Sequence, residues 1–96
     1  MIAIIASFTV AEGKEEAFEA EFAELTAKVR ANEPGNSLYQ LTRSKKDRQT
    51  YRMMELYADK DAVKAHGTTD YFAASFDRIK ALLTAEPVIE LLDSVG

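Results

Sequence analysis

Residues 2–10 constrain the fold more than any other stretch, because they alternate strictly and are largely apolar on both sides. Ile2, Ile4, Ala6, Phe8 and Val10 share one face, while Ala3, Ile5, Ser7 and Thr9 share the other. A period of two identifies a strand, and two apolar faces make it a central strand covered on both sides. The run has no basic flank and is far too short to cross a bilayer, so it reads as neither a signal segment nor a membrane span. A chain of 96 residues has room for one core around such a strand, and a single domain spanning residues 1–96 is expected.

The segment after Gly13 changes period. Phe18, Phe22, Leu25 and Val29 fall on one helical stripe, with Glu15, Glu16 and Glu19 crowding its start and Lys28 and Arg30 near its end, as the helix dipole favours. Pro34-Gly35-Asn36 stops this helix, since proline lacks the amide donor needed to continue it. Ser37 to Arg43 and Thr50 to Tyr57 are rich in aromatic, branched and long side chains, and the polar run Ser44-Lys45-Lys46-Asp47-Arg48 between them predicts a β-hairpin. Asp59 is a natural N-cap for a short helix carrying Ala62, Val63, Ala65 and His66. Thr69 or Asp70 caps the next, whose stripe is Phe72, Phe76, Ile79 and Leu83. Pro87 ends it, and Val88 to Val95 reads as a last strand.

The order strand, helix, strand, strand, helix, strand is that of an α+β, ferredoxin-like split βαβ fold with an antiparallel four-stranded sheet. Helices on one face leave the other bare. The sequence reading puts Ile2, Ile4 and Phe8 on that bare face, an apolar patch that association of two copies would cover. A homodimer is therefore expected.

Composition then removes whole classes of function. Without cysteine there is no disulfide framework, no thiolate metal site and no cysteine nucleophile. A formal net charge of −4 argues against nucleic acid and anionic membrane surfaces as partners and leaves small molecules or proteins. The basic cluster Arg43, Lys45, Lys46 and Arg48 is interrupted by Asp47 at a hairpin tip and reads as a solvated turn. No glycine-rich phosphate loop, zinc-ligand spacing or hydrolase elbow is present, and no metal is expected. The default location is the cytoplasm.

Four segments carry a family resemblance in their order and spacing over nearly the whole chain. They are the first strand leading into Gly13-Lys14-Glu15-Glu16-Ala17-Phe18, then Glu33-Pro34-Gly35-Asn36-Ser37-Leu38-Tyr39, then Glu55-Leu56-Tyr57, and last Ala62 to His66 with Thr69-Asp70-Tyr71-Phe72. Together they resemble the antibiotic biosynthesis monooxygenase superfamily, and in particular its small quinol-monooxygenase-like members. The resemblance implies a dimeric α/β-barrel of ferredoxin-like subunits, each with an apolar pocket between sheet and helices. It also implies oxidation of a small quinol, phenol or enol with no cofactor, since the substrate itself supplies electrons to dioxygen. Haem-degrading relatives resemble an Asn on the first strand with Trp and His further on; Ser7 stands at that strand position here and the chain has no Trp, which argues against haem.

Within this frame His66, the sole histidine, is the leading catalytic candidate, because histidine ordinarily titrates near neutral pH and the resemblance places one here. Its structural alternative is a helix C-terminal residue bonding local carbonyls. Glu55, acidic in an otherwise apolar and aromatic strand, is the second, as a base or as the group that orients His66; its alternative is an ion pair with Arg43, Arg52 or a residue on a neighbouring element. Tyr51, Met53, Glu55 and Tyr57 share one face by alternation. Tyr39, Tyr51, Met53, Tyr57, Phe72 and Ser7 are the candidates to hold substrate, against an ordinary core role for the large ones. Two functions compete: a cofactor-independent monooxygenase, and a non-catalytic dimeric module that binds a small apolar ligand.

Overall fold

The computed structural model describes all residues 1–96. Its elements are β1 (Ile2–Thr9), α1 (Glu15–Asn32), β2 (Asn36–Arg43), β3 (Thr50–Tyr57), α2 (Lys60–Gly67), α3 (Asp70–Lys80) and β4 (Val88–Asp93). The four strands form one antiparallel sheet in the order β2-β3-β1-β4, the ferredoxin-like α+β arrangement. Three helix boundaries have a clear local cause. Asp59 caps α2 by accepting from the Ala62 amide at 2.9 Å, and Thr69 caps α3 by accepting from the Phe72 amide at 3.2 Å. The helix α1 ends where Pro34 forces the preceding Glu33 out of the helical region, to φ −119° and ψ 87°. Leu83, expected on the α3 stripe, lies beyond the helix, which stops at Lys80. It bridges Val10 instead, and the Ala11 amide bonds the Leu82 carbonyl at 2.8 Å.

The helices cover one sheet face, and the core lies between them. Phe18, Phe22, Leu25 and Val29 of α1 are buried against Phe8, Tyr51 and Met53, with Phe8 edge-on to Phe18 and Phe22 at 5.5 and 5.4 Å between ring centroids. Burial of side chains of this size contributes about 1.5–3 kcal/mol each and fixes α1 over the sheet. The direction of the sheet departs from the sequence expectation. Ile4 and Phe8 lie under the helices, whereas the open face carries Ala3, Ile5, Leu38, Met54, Leu56 and Leu92. Alternation fixes which residues share a face but not which face the helices choose. The larger set, with Phe8, Tyr51 and Met53, is the one that interdigitates with the phenylalanines of α1. No helix is long and apolar enough to cross a membrane.

Candidate active site

Pro34 and Gly35 do more than end α1. An added Cβ on Gly35 would stand 2.7 Å from the Cβ of Ala62, so only glycine lets the α1–β2 turn lie directly on α2. That contact sets Glu33 against the other end of α2, where His66 projects inward. His66 Nδ1 lies 3.0 Å from Oε1 and 3.1 Å from Oε2 of Glu33, and the two side chains are only 7% and 8% exposed. The Tyr71 hydroxyl, from the first turn of α3, also donates to Oε2 of Glu33. The imidazole is wedged among the rings of Tyr39, Tyr57 and Phe72 at centroid distances of 5.4, 5.6 and 4.7 Å. Its Nε2 makes no hydrogen bond within the protein and is not sealed from solvent.

His66 forms part of the wall of a cavity of about 300 Å³ between the sheet and α2–α3, together with Glu55, Tyr39, Phe72, Phe76 and Phe8. The remaining wall is almost wholly apolar, and Ile89 and Leu91 of β4 contribute to it while staying half exposed. Glu55 enters it from β3, buried and accepting from the Tyr57 hydroxyl at 2.7 Å. Burial, with the Glu33 charge nearby, pushes the Glu55 carboxyl up from 4.5 to about 7, against the opposing pull of the Tyr57 hydrogen bond. The phenols of Tyr39 and Tyr57 are pushed up by their own burial and by the Glu55 charge, so both remain donors. The Tyr39 hydroxyl bonds no protein group, which leaves it free for a ligand. One near-neutral carboxyl, one histidine with an open nitrogen and one free phenol therefore converge on an apolar space.

A larger and more open groove of about 460 Å³ lies between α1 and β2, bordered by Glu19, Arg30, Arg43 and Tyr51. Its polar groups are already engaged with one another: Glu19 accepts from both Tyr51 and Arg43, and Arg30 bonds the Tyr39 carbonyl. The apolar cavity, not this groove, brings His66 and Glu55 together.

The structure brings four of the sequence candidates to the cavity: His66, Glu55, Tyr39 and Phe72. Tyr57 supports Glu55 from behind, and Met53 is sealed in the core. Tyr51 packs on Phe18 at 4.7 Å and faces the groove. Ser7 is a correction. It pairs with Arg52 and Val88 on the open sheet face, away from the cavity, for the same reason that Ile4 and Phe8 lie under the helices. Glu55 does not orient His66 by a hydrogen bond, nor does it form an ion pair with Arg43 or Arg52; the carboxylate on His66 is Glu33. Sequence reasoning passed over Glu33 and Tyr71 although both stand in the segments that carried the resemblance. The available signal was an acidic residue directly before the helix-stopping Pro34-Gly35 in a chain with one histidine.

Comparison with known proteins agrees with this fold. The family model described as antibiotic biosynthesis monooxygenase matches residues 1–78. A proposed antibiotic biosynthesis monooxygenase from Caulobacter crescentus CB15 is 47% identical, covering 99% of this chain and 90% of that one, with a TM-score of 0.96. A structure described as an antibiotic biosynthesis monooxygenase is 25% identical over 100% of both chains at a TM-score of 0.92. A protein from Pseudomonas aeruginosa is 30% identical over 99% of this chain and 94% of that one, at 0.87. No curated protein matches the chain. With a family model over most of its length and a relative of nearly half identity along it, the chain belongs to the antibiotic biosynthesis monooxygenase family.

Proposed function

We propose that the protein is a cofactor-independent monooxygenase acting on a small quinol, phenol or enol, and that it works as a homodimer. The observation that carries the reading is the Glu33–His66 pair set in the wall of an apolar cavity, with Nε2 of His66 unengaged and Glu55 poised near neutrality. An electron-rich substrate in this space gives its O–H or activated C–H proton to Nε2, while Glu33 on Nδ1 stabilises the imidazolium that forms. The resulting anion reduces dioxygen. For a methylene that becomes a carbonyl, the carbon loses four electrons, one oxygen atom stays as C=O and the other leaves as water after taking two protons. Glu55, close to half protonated at pH 7, supplies and recovers a proton for the peroxide stage, and the Tyr39 hydroxyl holds the substrate oxygen. The apolar walls keep bulk water from the reactive intermediates.

Dioxygen uptake against a panel of quinols and polycyclic phenols tests the proposal. Uptake with at least one member, reduced by about 100-fold or more in His66→Gln with its fold intact, is the expected result. Saturable ligand binding without uptake across the panel would replace it with the binding-module reading, which the almost entirely apolar wall also suits. The homodimer is supported by the open sheet face, where Met54 and Leu92 remain 40% and 38% exposed beside Ile5 and Leu38. A monomeric mass by light scattering at micromolar concentration would overturn it.

A further inference from the structure

We infer that His66 exchanges its proton with solvent through a rear exit formed by Glu33 and Tyr71, separate from the mouth by which a ligand reaches the cavity. The inference rests on the reading of that cavity as a ligand site with His66 as its base. Behind Glu33 lies a second crevice of about 330 Å³, framed by the α1–β2 turn, Ala62 and Ala65 of α2, and Thr69 and Tyr71 at the start of α3. The cavity and this crevice have no lining residue in common: His66 belongs to the first, Glu33 and Tyr71 to the second. The hydrogen bond from His66 to Glu33 therefore crosses the wall between them. Tyr71 donates to Oε2 of Glu33 and is itself partly exposed at the crevice.

Protons move through this chain without any electron transfer. A substrate O–H breaks as Nε2–H forms; Nδ1–H then breaks as a Glu33 O–H forms, and Glu33 releases that proton to water in the crevice. Later Nε2–H protonates the reduced oxygen, and a proton returning through Glu33 restores Nδ1–H. One proton goes out and one comes back per cycle. Tyr71 acts as a positioning residue: burial pushes its phenol up to about 12, so it keeps its proton and holds Oε2 in place. Such an exit lets the cavity stay filled and dry while the base is reset, which a single mouth shared by ligand and proton does not permit.

Exchange of the His66 Nδ1 proton with water, measured by NMR on nitrogen-15-labelled protein without dioxygen, separates the two routes and needs no turnover. With the cavity filled by 1-naphthol, the exchange rate is expected to stay within about twofold of the free protein, because the front mouth is not the path. Ala65→Leu, on the exposed side of α2, narrows the crevice and is expected to slow exchange about fivefold or more while 1-naphthol still binds. Slowing of about tenfold on naphthol binding, or an unchanged rate in Ala65→Leu, overturns the inference. Failure of 1-naphthol to shift the resonances of Phe72 and Phe76 would instead defeat the ligand-site reading, and the comparison of Ala65→Leu with wild type would still report on the exit.

Discussion

Glu55 ties the stability of the protein to pH. Its carboxyl titrates near 4.5 when unfolded and near 7 when folded, so the folded state binds its proton more tightly. The corresponding stabilisation is complete below pH 4.5 and is lost as pH rises through about 7, up to an order of 3 kcal/mol for this group. Urea unfolding midpoints should therefore fall between pH 5 and pH 8 in the wild type, and Glu55→Gln should flatten that fall by stabilising the protein at pH 8. A wild-type midpoint that did not change over this range would refute the assignment. Tyr57→Phe removes the hydrogen bond that favours the Glu55 carboxylate and should raise its titration further, as read by carbon-13 NMR of the carboxyl. Both effects belong to single side chains and leave the backbone unchanged.

At the scale of elements, the site depends on how closely the α1–β2 turn lies on α2. Gly35→Ala places a methyl 2.7 Å from the Ala62 Cβ, a clash that must push the turn and α2 apart. The expected cost is about 1–3 kcal/mol in thermal or denaturant unfolding, with loss of the Glu33–His66 hydrogen bond visible in the His66 ring nitrogen shifts. The reason is volume, since the backbone at Gly35 has no positive φ. Thr69→Ala should cost about 1 kcal/mol by uncapping α3, and it should loosen Tyr71 two residues later. The strands and helices were legible in the sequence because side-chain period and capping chemistry are local: Phe18, Phe22, Leu25 and Val29 could lie on one stripe only in a helix. Leu83 misled because it continued the α3 stripe in spacing, while the pairing of Val10 and Ala11 with Leu83 and Leu82 drew the chain out of the helix.

For the whole molecule, the apolar surface that the proposed dimer would cover lies on the open sheet face and β4. Val88, Ile89, Leu91 and Leu92 of β4 are all exposed, and Val88 and Leu92 continue the apolar face made by Ala3, Ile5, Met54 and Leu56. A charge at its centre, as in Met54→Glu, should convert the proposed dimer to a monomer by light scattering, with the circular dichroism of the fold retained. A dimer that persisted in Met54→Glu would move the interface elsewhere.

The sequence by itself determined the elements and their order, because each rests on patterns readable within a few turns of helix or a few residues of strand, and the family, because four short segments occur in order along the chain. It also singled out His66 and Glu55, the lone histidine and the acid in an apolar strand. Only the tertiary structure decided which sheet face the helices cover, and with it that Ser7 faces away from the cavity, since alternation is symmetric with respect to the two faces. Only the tertiary structure, too, joined His66 to Glu33 across 33 positions of chain, through the close contact between Gly35 and Ala62. A hydrogen bond between residues so far apart depends on how α1, α2 and α3 pack together, and no local pattern in the chain encodes it.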